Sequence, residues 1–128
     1  MRLLLDTHAL LWWLTDDAQL PEPVRRAVAN EANDVFVSAA SAWEIATKQR
    51  LGKLDGIAPV AGWFIDLAAA DGFVPLPITP LHALRAGAYA QEHRDPFDRM
   101  LAAQSELESM RLVTRDPAFD AFSVKTLW

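Results

Sequence analysis

The segment 1–14, MRLLLDTHALLWWL, restricts the possible fold more than any other stretch of the chain. Leu3, Leu4 and Leu5 form an unbroken apolar run, the pattern of a strand covered on both faces in a parallel sheet; a strand with one wet face would alternate. Asp6 follows at once, and residues 7–14 then give a helix-length apolar segment containing Trp12 and Trp13. In an open α/β sheet the carboxyl ends of the strands and the amino ends of the following helices share one edge, where such folds bind ligands. Asp6 is expected on that edge.

The rest of the chain repeats the alternation of short apolar runs and helical spacings. A polar, proline-bearing connection over 15–23 leads to a helical spacing that runs toward the Asn33-Asp34 turn. Val35, Phe36 and Val37 make a second strand, the hydroxyls of 38–41 supply caps, and a helix is predicted over about 42–51 with Gly52 closing it. Another helix is predicted over about 60–71, before a strand at 73–78 that Pro75 and Pro77 push toward a sheet edge. Thr79-Pro80 and Asp95-Pro96 each read as a cap followed by proline at the first helical position, opening helices that stop near 93 and 110. Residues 112–114 and 123–127 read as the last strands, with Asp116-Pro117 as a turn. The expected architecture is α/β, a three-layer α/β/α sandwich around a mainly parallel sheet of four to five strands.

Composition narrows the function. At 128 residues with 52% hydrophobic side chains the chain suits one domain, 1–128, with one well-filled core. With no cysteine there is no disulfide framework, thiolate zinc site or cysteine nucleophile, which suits a reducing cytoplasmic setting. The amino terminus imitates a signal peptide only until Asp6 and His8 interrupt it, and no apolar run reaches the length of a membrane span. A net charge of -5 argues against a broad basic groove for nucleic acid, so any such contact is expected to be local or supplied through bound metal.

Four acids carry the candidate chemistry, and each also has a purely structural explanation. Asp6 suits a helix cap, Glu44 suits the first turn of its helix with Lys48 as an i,i+4 partner, Asp95 and Asp98 suit a capping box, and Asp116 precedes a turn proline. Asp98 fits its explanation least well, since a shorter side chain is a poorer reciprocal cap. Asp6 and Asp116 follow strands while Glu44 and Asp98 lie near the starts of helices, so all four are expected at the carboxyl edge with few bases nearby to neutralise them. Clustered carboxylates repel unless a cation sits among them, and oxygen donors without cysteine or a clear histidine ligand favour magnesium or manganese over zinc.

Four segments, LLLDTHALLWW, SAASAWEIATKQRLGKL, HRDPFDRMLAAQ and LVTRDPAF, resemble a PIN domain, and specifically a VapC-type toxin of bacterial toxin–antitoxin systems. The resemblance implies a metal-dependent endoribonuclease with Asp6, Glu44, Asp98 and the more variable Asp116 as catalytic and metal-binding acids. It places Thr7, Ser38 and Thr114 beside them as supporting hydroxyls and leaves Asp95 as a cap. It implies Mg2+, with Mn2+ substituting, and cuts that leave a 5′-phosphate and a 3′-hydroxyl through metal-activated water. Its partners are an RNA substrate, an antitoxin whose tail brings a basic residue into the acidic pocket, and a second copy of the chain. Lys48, Arg94, Arg99 and Arg115 are candidates for phosphate contacts or, equally, for balancing neighbouring acids.

Trp12, Trp13, Trp43 and Trp63 fall in helical apolar patterns and read as core or interface residues rather than stacking platforms. His8, His82 and His93 read as surface or hydrogen-bonded residues. Two other functions share parts of this pattern. A receiver-type phosphoacceptor domain shares the alternation but needs paired acids after the first strand, an acid closing the third and a lysine after the last, which this chain lacks. A catalytically silent module whose acidic pocket binds a basic peptide remains as the alternative.

Overall fold

The computed structural model describes residues 1–54, 62 and 64–128. The first strand, β1 (Arg2–Leu5), lies at the centre of a five-stranded sheet of order β3-β2-β1-β4-β5 in which every pairing is parallel. Its neighbours are β2 (Asp34–Ser38) and β4 (Arg111–Val113); β3 (Val74–Leu76) and β5 (Thr126–Leu127) form the edges. The unbroken leucine run has the expected cause. Leu3 and Leu5 enter one core cluster, Leu4 enters the other, and all three are buried. Pro75 removes a ladder donor, which is tolerated because β3 is an edge strand.

Helices cover both faces. One face carries α1 (Thr7–Leu14), α2 (Glu22–Ala29), α4 (Phe64–Ala70) and, through Ile45, α3 (Ala39–Arg50). The other carries α5 (Pro80–Ala88), α6 (Pro96–Leu107) and the 3-10 turn Pro117–Ala121, whose Phe119 packs with Leu4 and Leu112. The chain builds β2 and β3 outward on one side of β1, then crosses to build β4 and β5 on the other. The β1/β4 crevice is therefore the switch point at which such sheets bind ligands.

Several boundaries differ from the sequence expectations for physical reasons. Helix α3 starts at Ala39, not 42, because Ser38 is the cap and accepts from the Ala40 amide; Gly52 then takes a φ of 70° just past its end. Helix α5 stops at Ala88 rather than near 93, since Arg99 takes up the carbonyls of the following segment. Helix α6 ends at Leu107, with Ser109 in the left-handed region at φ 53°. Residues 117–121 form a 3-10 helix capped by Asp116 rather than a simple turn. Of the helix predicted over 60–71, the part before residue 64, apart from residue 62, lies outside the described residues, as does Trp63. Among the described residues no helix is long and apolar enough to cross a membrane.

Candidate active site

Asp6 leaves β1 at the switch point and begins α1. Its backbone N–H continues the ladder to Val113 O at 3.1 Å, and its Oδ1 accepts from the Ala9 amide at 2.7 Å, so the capping role expected from sequence is fulfilled. The same carboxylate is 5% exposed and also bonded by Thr114. Burial raises its pKa; the Thr114 and Ala9 hydrogen bonds and the nearby His8 oppose that rise, and Asp116 adds to it. Thr114 Oγ1 in turn accepts from the Asp116 amide at 3.0 Å, so one hydroxyl ties the ends of β1 and β4 together. Asp116 caps the 3-10 turn through Ala118 N at 2.9 Å and remains exposed.

Glu44 and Asp98 form a second pair. Because α3 begins early, Glu44 sits in its second turn rather than its first, and it is buried rather than on a solvated face. Lys48 Nζ reaches its Oε2 at 2.8 Å, one turn away. Asp95 caps α6 alone, accepting from the amides of Phe97 and Asp98. The expected reciprocal capping box is not made. Asp98 instead meets His93, with Nε2 and Oδ2 2.9 Å apart. Burial pushes the Asp98 carboxyl up to about 6; the His93 bond and charge oppose this, while Asp95 and Glu44 add to it.

The four acids thus come from four segments of the carboxyl edge, but as Asp6 with Asp116 and Glu44 with Asp98. Among the described residues no three acidic or histidine side chains converge closely enough to ligate one ion. The expectation of few neutralising bases is also corrected, since Lys48 draws Glu44 and His93 draws Asp98. In donor chemistry the residues fit a hard divalent cation. All four are carboxylates, and two of them, the buried Asp6 and the half-buried Asp98, have raised pKa beside further negative charge, a condition a cation relieves. The ligands are presented as two pairs rather than one closed cup.

The supporting residues divide. Thr114 touches the acids as expected. Thr7 Oγ1 donates to Ser41 Oγ at 3.0 Å, joining α1 to α3, and Ser38 Oγ donates to Gln104 Oε1 at 2.5 Å, joining α3 to α6. Both hydroxyls hold acid-bearing helices together without bonding an acid. Arg99 is not a phosphate contact: its five N–H groups are committed to the carbonyls of Ala86, Gly87, Tyr89, Gln91 and His93. Lys48 balances Glu44, and Arg94 is exposed. Arg115 lies 4.5 Å above the Trp12 ring.

A cavity of about 330 Å³ opens beside the first pair, lined by Asp6, His8, Trp12, Arg115, Asp116 and Pro117. Trp12 is therefore only partly core, and it walls the acid site, which its helical spacing alone did not reveal. Sequence reasoning also missed His93 as the Asp98 partner and Ser41 as the Thr7 partner. The signal for Ser41 was a small hydroxyl on an otherwise apolar helix face; His93 gave none, since its contact depends on the loop fold. Another cleft, about 390 Å³, opens at the opposite edge around Arg2, Arg111 and Lys125 and carries none of the four acids.

Comparison with known proteins identifies the family and the fold. The PIN domain family matches residues 3–125. Ribonuclease VapC22 of Mycobacterium tuberculosis is 31% identical over 114 residues, spanning 88% of this chain and 85% of that protein. Ribonuclease VapC16 of the same organism is 41% identical over 58 residues, spanning 45% of this chain and 41% of that protein. Among solved structures, VapBC2 from Rickettsia felis bound to a DNA fragment from its promoter superposes with a TM-score of 0.69 at 12% identity, covering 100% of this chain and 98% of the other. FitAB bound to a DNA fragment superposes with a TM-score of 0.56 at 24% identity, covering 98% of this chain and 93% of the other. At those identities the two structures speak for the fold, and the family match and VapC22 speak for the lineage. The chain belongs to the PIN-domain family and is of VapC type.

Proposed function

We infer that this chain acts as a single-domain endoribonuclease and as the toxin of a toxin–antitoxin pair. The observation that carries the inference is the gathering, at the switch point of the sheet and beside it, of four carboxylates from segments far apart in sequence. The 31% identity to Ribonuclease VapC22 over most of both chains supports the reaction class. Asp6, Asp116, Glu44 and Asp98 would hold one or two Mg2+ or Mn2+ ions. When bound, such ions lower the pKa of a water, place it in line with a phosphodiester and stabilise the leaving oxygen.

The chain's own residues supply position and charge. Thr114 holds Asp6 against the Asp116 backbone, the Asp95 cap orients the first turn of α6 that carries Asp98, and Lys48 and His93 keep the second pair compensated. Arg115, at the rim, faces the cavity where a phosphate would enter. An acidic pocket of this kind also suits a basic antitoxin residue, and the superposed structures include VapBC2 and FitAB assemblies. A second copy of the chain is proposed as its partner in a homodimer.

Induced expression of the wild type beside Asp98→Asn, with sequencing of RNA ends, tests the proposal. Growth arrest with mapped 5′-phosphate ends in the wild type alone is the expected result; purified protein should cut RNA with Mg2+ or Mn2+ and stop with a chelator. Equal growth and intact RNA in both strains would leave an acidic pocket that binds a basic peptide and no nuclease.

A further inference from the structure

Beside the Asp6–Asp116 pair the cavity wall is made of flat, stacked groups. The His8 imidazole stacks on Trp12 with centroids 5.6 Å apart and planes 28° from parallel. The Arg115 guanidinium carbon lies 4.5 Å from the centroid of the same indole, and Trp128 meets it edge-on at 5.8 Å and 61°. Trp12 is half-buried, rooted against the core by its packing on the α1 face, while His8 and Arg115 are exposed. A stack that served only to fill the core would bury its outer members. Here the outer members face a cavity of about 330 Å³ whose remaining lining is Asp6, Asp116 and Pro117.

We propose that the His8–Trp12–Arg115 wall is a nucleobase subsite, taking one unpaired base of the RNA next to the phosphate that a cation at Asp6 and Asp116 would bind. This rests on the ribonuclease function inferred above and adds to it the element that grips a base. Single-stranded RNA is recognised by stacking splayed bases on aromatic rings and guanidinium planes, and such stacking tolerates any base because every base has a π face. Arg115 serves twice: its guanidinium, held by Gln19 Oε1 at 3.2 Å, sits against the indole, and its charge lies on the same cavity lining as Asp6 and Asp116, where it would attract a phosphate. The local placement of one cation and one aromatic column reconciles nucleic-acid binding with a net charge of -5.

The test uses ligands that bind whether or not RNA is cut. The full chain in Mg2+ is titrated with adenosine 5′-monophosphate and, separately, with ribose 5-phosphate, following the Trp12 indole N–H and His8 ring resonances by NMR. The nucleotide is expected to shift both and to half-saturate at a concentration lower by about fivefold or more than the base-free sugar phosphate. Trp12→Phe should keep that advantage, Trp12→Leu should abolish it, and His8→Ala, at an exposed position, should reduce it even if Trp12→Leu fails to fold. Equal titration curves for the two ligands, or an advantage retained in both Trp12→Leu and His8→Ala, would overturn the subsite. So would equal curves combined with shifts of the same resonances by an acetylated Arg-Phe amide, which would assign the wall to a protein partner. A preference for the nucleotide over the sugar phosphate without RNA cleavage would keep the subsite and refute the nuclease; cleavage without that preference would do the reverse.

Discussion

Arg99 Nη1 donates to the His93 carbonyl at 3.0 Å, and the imidazole of that same residue reaches Asp98, the neighbour of Arg99 in the chain. The guanidinium thereby closes a loop: it holds the backbone that aims His93 at the first turn of α6. Its other N–H groups fix the carbonyls of Ala86, Gly87, Tyr89 and Gln91. Arg99→Ala leaves several half-buried carbonyls without donors, so a loss of about 2–4 kcal/mol in urea denaturation is expected. Arg99→Lys should recover only a minor part, because an ammonium cannot span five acceptors laid out for a planar fork.

Asp98 makes stability fall as pH rises. Its folded-state carboxyl is pushed up to about 6 from an ordinary value of 3.8, so between those values the folded protein holds a proton that the unfolded chain has released. Stability is therefore highest below about pH 4 as far as this group is concerned, declines toward pH 6, and carries the full penalty above it. Asp98→Asn removes the penalty while its amide oxygen can still accept from His93. In chelator-containing buffer the variant should melt roughly 2–5 °C above the wild type at pH 7.5, with the gap closing by pH 4. A constant gap across that range would show that burial of the Asp98 charge is not its cause.

How much of this was legible in the sequence differs by element. The Leu3–Leu5 run announced a central parallel strand because both faces of β1 are covered, and Pro75 marked an edge for want of a ladder donor. The carboxyl-edge placement of Asp6, Glu44, Asp98 and Asp116 followed from the alternation of strands and helices. The division into two pairs did not: the Glu44–Lys48 spacing was readable, but His93 reaches Asp98 from a loop whose path the spacing does not reveal. Ser38 and Ser41 are both good caps, and only the packing of Ser38 onto Gln104 selects the first, which moves Glu44 into the second turn. The end of α5 was hidden because Arg99 acts on it from the next helix. Trp12 has the same helical spacing whether its outer face meets protein or a cavity, so periodicity could not separate the two.

Lys48 and Glu44 are coupled by burial. The Glu44 side chain is 5% exposed, so Lys48→Met strands a charge with little water and should cost about 2–3 kcal/mol. Combining it with Glu44→Gln should restore much of that loss, giving a coupling of about 1 kcal/mol or more in a double-mutant cycle. Millimolar Mg2+ should raise the melting temperature of Lys48→Met more than that of the wild type, because the cation then replaces the missing ammonium. An equal rise in both would argue that Glu44 does not face the metal.

Ser38 and Gln104 tie the two helices that carry Glu44 and Asp98. The Ser38 hydroxyl accepts from the Ala40 amide at 2.9 Å and donates to Gln104 Oε1 at 2.5 Å, while Gln104 Nε2 donates to Pro77 O at 3.3 Å; both side chains are fully buried. Ser38→Ala removes the cap of α3 and leaves an amide oxygen unpaired, for a loss of about 2 kcal/mol. Gln104→Leu leaves the Ser38 hydroxyl proton without an acceptor and the Pro77 carbonyl without this donor, at a similar cost. Because each single change strands the other's partner, the double variant should lose about 1 kcal/mol less than the sum of the two. Its effect on RNA cleavage should exceed its effect on stability under folding conditions, with kcat falling more than KM rises, since it loosens Glu44 relative to Asp98 without touching the cavity around Trp12. Strict additivity in the denaturation series, or an unchanged kcat in the folded double variant, would show that the helices are aligned by apolar packing alone.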